Sequence, residues 1–113
     1  MRQARGYQIR EYLRPDDSSP YREWVGELPV AVRARISARL VRFQSGNLGD
    51  SKSLGDGLWE ARFMFGPGYR LYFGLHGMRV VVLLGGGDKR SQRGDITRAR
   101  QLWRDFEEAN NET

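Results

Sequence analysis

The chain has no cysteine in its 113 residues. This excludes thiol catalysis, a thiolate metal site and a disulfide framework. The absence fits a reducing compartment, and we expect a cytoplasmic location. The longest apolar run, Val80 to Leu84, is far too short to cross a bilayer. The opening residues, Met1 to Arg5, are not followed by an apolar run, which argues against a secretory signal.

The sequence is also poor in the residues that build metal and nucleophile sites. Its one histidine, His76, falls in a predicted turn, so neither a Ser-His-Asp triad nor a histidine metal cluster is supported. The acidic residues are scattered and form no Asp-x-Asp pattern. The Gly85 to Lys89 segment lacks the spacing and the Ser/Thr of a phosphate-binding Walker loop. We therefore expect no metal and no cofactor, and any catalysis would be metal-free.

Positive charge is in excess, with 19 Lys and Arg against 14 Asp and Glu and a net charge of +5. The balance points to a polyanionic partner, either a nucleic acid or an acidic protein. Seventeen of the cations are Arg, and only Lys52 and Lys89 are Lys. A GC-rich genome alone would explain that bias, whereas guanidinium groups also grip phosphate in bidentate fashion. The positions of particular cations must therefore decide between the two explanations.

The first third of the chain predicts a strand and two helices. Tyr7 to Leu13 alternates with period two and predicts a strand. Ser19 as N-cap and Pro20 at the first helical position predict a helix to about Leu28. A second helix opens at Pro29 and completes a helical hairpin over 20–45. Its apolar stripe is Val32, Ile36, Leu40 and Phe43.

The rest of the chain predicts a loop, three strands and a helix. Residues 45–57 are rich in Gly, Ser, Asn and Asp and predict a loop. The predicted strands are Leu58–Phe65, Tyr69–Leu75 and Met78–Leu84, the last one buried. Gly66-Pro67-Gly68 and a two-residue His76-Gly77 turn separate them. A final helix begins near Ser91 or Asp95 and buries Ile96, Ala99, Trp103 and Phe106, and the polar tail Glu107 to Thr113 is expected to fray.

The element order β-α-α-β-β-β-α predicts one α+β domain over residues 1–113. We expect an antiparallel-rich four-stranded sheet with the helical hairpin and the C-terminal helix packed on it.

The predicted sheet brings several charged residues together. Alternation places Glu60 and Arg62 on one face of their strand, and Trp59, Ala61 and Phe63 on the other. The following hairpin brings Arg70 near Arg62, and Lys89 follows the last strand. Glu60 could simply neutralise one arginine. Alternatively, the cluster is a phosphate site in which Glu60 serves as a general base.

A row of Arg35, Arg39 and Arg42 repeats at helical spacing away from the apolar stripe. Such a row is a solvated face, an anion-binding stripe or a docking surface, and we favour a solvated face or partner-docking surface.

Several segments together resemble the HigB-like addiction-module killer proteins of the RelE/ParE toxin superfamily. The resemblance covers residues 5 to 106, nearly the whole chain. It rests mainly on Gly66-Pro67-Gly68-Tyr69-Arg70 and Gly86-Gly87-Asp88-Lys89, supported by Gly46–Lys52, Leu58–Arg62 and Gln92 with Asp95-Ile96.

The resemblance implies a RelE-like fold and a type II toxin that cleaves mRNA in the ribosomal A site. A helix-turn-helix antitoxin encoded beside it would neutralise it in a hetero-oligomer, with Arg35, Arg39 and Arg42 as one docking surface. Arg62, Arg70, Lys89 and Glu60 would be catalytic, and Lys52, Arg90 and Tyr69 would bind RNA.

The sequence departs from RelE, which has a basic residue at the position of Glu60 and a tyrosine near the start of the last helix. Residues 91–96 contain neither Tyr nor His, so no general acid is identified. ParE members share the fold but inhibit DNA gyrase without a nuclease site, which is the alternative. A third possibility is an accessory protein of this fold without toxicity.

Overall fold

A computed structural model describes residues 6–111 as five strands and three helices. In chain order they are β1 (Gln8–Glu11), α1 (Pro20–Gly26), α2 (Val30–Gln44), β2 (Ser51–Gly55), β3 (Leu58–Arg62), β4 (Arg70–His76), β5 (Val80–Gly87) and α3 (Gln92–Ala109).

The strands form one mixed sheet in the order β1-β5-β4-β3-β2. β1 runs parallel to β5, and the other neighbours are antiparallel. The α+β class is therefore confirmed. β5 lies inside the sheet and is buried from Val81 to Gly85, as predicted for the third strand of the meander.

The prediction of four strands is wrong, because β2 lies inside the predicted loop. Asp56 and Gly57 form a two-residue turn between β2 and β3, with φ of 56° and 86°. Positive φ at both central positions is the geometry of the tight hairpin turn that Asp-Gly favours. The dipeptide therefore reverses the chain and pairs the polar segment Ser51–Gly55 with β3.

The helical pair forms as predicted, with small shifts at its ends. The Ser19 hydroxyl accepts a hydrogen bond from the Arg22 N–H at 3.0 Å, which confirms Ser19 as the N-cap. Helix α1 ends at Gly26 rather than at Leu28, and α2 begins at Val30, after Pro29. The apolar stripe of α2 is confirmed, with Ile36 and Phe43 fully buried.

The sheet separates two apolar layers. One contains Phe43, Phe73 and Leu83 beneath α1 and α2, and the other contains Leu58, Tyr72 and Val82 beneath α3. The alternation predicted for β3 is confirmed, since its buried residues divide between these layers. The predicted α3 face is confirmed too: Ala99 and Trp103 are buried, and Ile96 and Phe106 pack against them.

Other boundaries differ from the predictions. Three residues, Gly77 to Arg79, connect β4 to β5, because His76 pairs with Val80. The predicted fraying from Glu107 is wrong as far as Ala109, which is still helical, and residues 112 and 113 lie outside the described residues. Between residues 6 and 111 we find no helix long and apolar enough to span a membrane.

Candidate functional site

Two glycine-containing segments, far apart in sequence, meet at one end of the sheet. The Lys89 N–H donates a hydrogen bond to the Pro67 carbonyl at 3.3 Å. A Cβ on Gly68 would lie 3.4 Å from the Cβ of Lys89, so the two loops are in close contact. The strand directions explain why the two loops meet, since β4 begins and β5 ends at this end of the sheet.

A cavity of about 330 Å³ opens beside this contact. Phe63, Met64, Phe65 and the Gly66–Gly68 loop form much of its wall, together with Arg70 and Lys89. Among the described residues that line it, only Arg70 and Lys89 carry charge. The cavity therefore combines a cationic side with an aromatic and apolar wall.

Arg62 and Arg70 are direct partners across β3 and β4, which confirms the expectation that the hairpin brings them near each other. They do not share one carboxylate. The Arg70 Nε lies 4.0 Å from an Oε2 of Glu60, whereas the Arg62 guanidinium lies 3.3 Å from an Oδ1 of Asp50. Arg70 is almost buried, and Arg62 is half-exposed. Each arginine thus has its own counter-charge.

Glu60 is completely buried on the α3 side of the sheet. Its Oε2 accepts hydrogen bonds from the Tyr72 hydroxyl at 3.1 Å and from the Gln92 side-chain amide at 2.7 Å. Its Oε1 has no hydrogen-bond partner among residues 6–111, and neither has the Nε of Arg70. The two unpaired atoms belong to buried side chains that form an ion pair at 4.0 Å.

The start of α3 is fixed by its own polar contacts. An Asp88 oxygen accepts hydrogen bonds from the backbone N–H groups of Arg90 and Ser91 at 2.9 and 3.1 Å. The Ser91 hydroxyl donates to Asp95, which also pairs with Arg98. These contacts anchor the first turn of α3 and hold Gln92 over Glu60.

The three predicted RNA-binding residues differ in exposure, and none of them lines the cavity. Lys52 is exposed on β2, where it is the cross-strand partner of Glu60. Arg90 is exposed next to Lys89. Tyr69 is half-buried, and its ring lies 5.7 Å from the ring of Phe65.

The predicted arginine row on α2 is not one uniform exposed face. Arg35 and Arg42 are exposed, but Arg39 is half-buried and donates a hydrogen bond to the Arg62 carbonyl at 2.8 Å. Burial, followed by the nearby charge of Arg42, lowers the pKa of the Arg39 guanidinium, which stays protonated. Arg39 is therefore a structural link between α2 and β3, and the exposed part of the row is Arg35 with Arg42.

Sequence reasoning missed three residues of this site. Tyr72 could have been found, since it lies two residues after Arg70 and so shares its face of the strand. Asp50 and Gln92 carry no such local signal. They lie 12 and 32 residues from Arg62 and Glu60, respectively, and only the folded chain brings them together.

Comparison with known proteins places the chain in a family. No protein-family model matches it. A protein of Haemophilus influenzae, described as an uncharacterized protein, is 44% identical to it over 80 residues, which are 70% of this chain and 81% of that one. The chain belongs to the family of that protein. Membership in this Haemophilus protein's family assigns no chemistry, so the function has to be inferred from the site.

Proposed function

We propose that this protein is a HigB-like toxin of the RelE/ParE superfamily that cleaves mRNA on the ribosome without a metal ion. The observation that carries the proposal is the cavity whose charged lining residues are Arg70 and Lys89. A cationic side suits a phosphate, and the wall of Phe63, Met64 and Phe65 suits a nucleobase.

The proposed chemistry is attack of a ribose 2′-hydroxyl on the adjacent phosphorus. The O–P bond forms as a base removes the hydroxyl proton, and the bond to the 5′-oxygen breaks as that oxygen gains a proton. Arg70, Lys89 and Arg62 would stabilise the charge that gathers on the phosphoryl oxygens. Each well-placed donor is worth about 3 kcal/mol in a transition state.

Glu60 is the candidate base, through its free Oε1. Because Glu60 is fully buried and does not line the cavity, a 2′-hydroxyl would reach it only after the side chains around it move. Loose catalytic geometry in an empty site is common, since such contacts tighten with substrate. Lys52 and Arg90 would contact flanking phosphates, and Tyr69 would support the aromatic wall.

A helix-turn-helix antitoxin is the proposed partner in the cytoplasm, in a toxin–antitoxin hetero-oligomer. Arg35 and Arg42 are exposed on α2, and no acidic residue occurs in that helix. Charge complementarity would steer an acidic surface toward them.

The test is induction in cells with mapping of new mRNA 5′ ends, comparing wild type with Arg70→Gln and Lys89→Gln. We expect codon-phased 5′ ends for wild type and at least about a 100-fold loss in both variants, since each loses a cation at the phosphate. Arg10→Gln is the matched control, because Arg10 is exposed on the far edge strand β1. Lys89 is exposed, so its variant remains readable even if Arg70→Gln impairs folding. Wild-type cleavage by a folded Lys89→Gln protein would contradict the proposal.

The complete burial of Glu60 favours a second candidate, a ParE-type inhibitor of DNA gyrase. Such an inhibitor needs no exposed base. Plasmid supercoiling measured in the same cells distinguishes the two: intact mRNA together with gyrase-dependent DNA damage would favour the ParE-type function.

A further inference from the structure

A second groove, of about 420 Å³, lies between α2 and the segment that follows β3. Arg35, Arg39 and Arg42 line one side, and Phe63, Met64 and Phe65 line the other. Among the described residues that line it, none is acidic. Like the cavity beside Arg70, the groove therefore places positively charged side chains opposite aromatic rings.

Two of the three guanidinium groups lie over aromatic rings. The Arg35 Cζ lies 4.3 Å from the centre of the Phe65 ring, and the Arg39 Cζ lies 4.3 Å from the centre of the Phe63 ring. The exposed Arg35 guanidinium can still donate to a ligand, whereas the Arg39 guanidinium already donates to the carbonyls of Arg62 and Asp50. Because folding already orders these side chains, binding a ligand would cost less conformational entropy.

The groove continues into the candidate catalytic cavity. Phe63, Met64 and Phe65 line both of them, so the two share one wall. Met64 stands between them with 82% of its surface exposed. A ligand can therefore extend from Arg70 and Lys89 across Met64 to Arg35 and Arg42 without meeting a lining carboxylate.

This combination fits a single-stranded nucleic acid better than a protein segment. Flexible strands bind where cations follow the backbone and flat groups stack on the bases, and arginine planes serve as such stacking surfaces. An amphipathic protein helix would instead need exposed aliphatic side chains in the groove to pack against. The exposed aliphatic residues of α2, Val30 and Val41, lie outside the lining of the groove.

We propose that the groove between α2 and Phe63–Phe65 binds the nucleotides of single-stranded RNA that flank the one in the Arg70 cavity. This inference rests on the proposed function, because it extends the path of the same substrate. Arg35 and Arg42 supply the phosphate contacts, and Arg39 supports the groove from within.

The test measures binding without chemistry. The probe is a fluorescein-labelled oligouridine with 2′-O-methyl riboses, which cannot cleave itself, and its anisotropy is followed over a range of salt concentrations. The variant is Arg35→Gln/Arg42→Gln, which leaves Arg39 and its backbone hydrogen bond intact. The matched control is Arg10→Gln/Arg33→Gln, which removes two exposed arginines outside both cavities.

We expect the groove variant to bind about tenfold more weakly than the control. The slope of log K against log salt should fall by about 1.4, because each lost phosphate contact on a single strand accounts for about 0.7. Equal binding by the groove variant and the control would overturn the proposal, as would an absence of binding by wild type. Intact oligonucleotide binding by a groove variant that no longer binds the antitoxin would overturn it too, because Arg35 and Arg42 would then serve only the antitoxin surface proposed above. Because the probe is not cleaved, these outcomes are independent of whether the protein is a nuclease.

Discussion

Tyr72 and Glu60 form a buried pair whose protonation couples the site to the stability of the fold. Burial, followed by the charge of Glu60 and the hydrogen bond between them, raises the pKa of Tyr72 above its ordinary value of 10.0. The folded protein therefore keeps the phenol proton at a pH where the unfolded chain has lost it. Stability from this group is complete below about pH 10 and declines as the pH rises further.

We predict that Tyr72→Phe lowers the free energy of unfolding by about 1–3 kcal/mol at neutral pH, because a hydrogen bond to a buried carboxylate is lost. The difference in the free energy of unfolding between the variant and wild type should be smaller at about pH 11. Wild type loses stability as the pH rises above about 10, whereas phenylalanine cannot ionise. Urea unfolding at both pH values measures the two differences. Burial also raises the pKa of Tyr12 and Tyr21. Both residues are present in wild type and in Tyr72→Phe, so they do not contribute to the difference between the two. An equally large difference at both pH values would contradict the linkage.

The site shows which residue contacts a sequence can predict. The proximity of Arg62 and Arg70 was predictable, because a hairpin connects their strands. Their direct pairing was not, because residues 63–69 form the connection rather than the predicted Gly66–Gly68 turn alone. The expectation that Glu60 could neutralise one arginine is confirmed for Arg70, whereas the pairing of Asp50 with Arg62 was not predicted. Asp50 reaches Arg62 through the β2–β3 hairpin, which the sequence interpretation treated as a loop.

Strand β2 was overlooked because its composition is that of a loop. As an edge strand it buries little: Lys52, Ser53 and Gly55 are exposed, and Leu54 packs against the α3-side layer. Its hydrophobic pattern is therefore weak, and the local signal is the Asp56-Gly57 turn. The longer elements α2, β5 and α3 were predictable because each carries a full apolar face.

The docking of α3 on the sheet depends on a glycine in β4. A Cβ at Gly74 would lie 2.3 Å from ring atoms of Trp103. That ring is buried, and its Nε1–H donates to the Asp56 carbonyl at 2.9 Å, so it has little freedom to move away.

We predict that Gly74→Ala destabilises the protein by about 1–3 kcal/mol through overpacking. Gly26→Ala is the control, because nothing lies within 4 Å of a Cβ at that position near the end of α1. It should be neutral or stabilising by up to about 1 kcal/mol, since alanine favours helix. Denaturant unfolding of both variants gives the comparison. Equal stability of Gly74→Ala and wild type would contradict this prediction and would mean that α3 can move away from the sheet as a rigid unit.

On the scale of the whole molecule, the candidate site lies where strand ends converge. β3 and β5 end, and β4 begins, at the same end of the sheet. Arg62 and Arg70 therefore stand at adjacent strand ends, and Lys89 lies in the loop that follows β5. Arg70 at the start of β4 and Lys89 in the loop after β5 are the charged groups that line the cavity, and the sheet fixes their spacing. The fold therefore explains why the Gly66–Gly68 loop, Arg70 and Lys89 line one cavity although Lys89 is distant in sequence.

The two apolar layers depend on the same strands. Leu71 and Phe73 of β4 belong to the α1–α2 layer, whereas Tyr72 between them belongs to the α3 layer. β5 alternates in the same way, with Val81 and Leu83 on one side and Val82 and Leu84 on the other. One layer cannot lose its packing without disordering the strands that support the other, so the whole sheet should unfold as one cooperative unit.

The three tryptophans allow this cooperativity to be measured. Trp24 and Trp59 pack on the α1–α2 layer, and Trp103 lies in the α3 layer. We predict that a variant retaining only Trp59 and a variant retaining only Trp103 each show fluorescence and far-ultraviolet circular dichroism transitions that coincide in urea. Comparing two probes within each variant removes the effect of the substitutions on overall stability. If Trp103 fluorescence changed before the circular dichroism in its variant, α3 would detach as a separate unit, and Gln92 would leave Glu60 before the sheet unfolds.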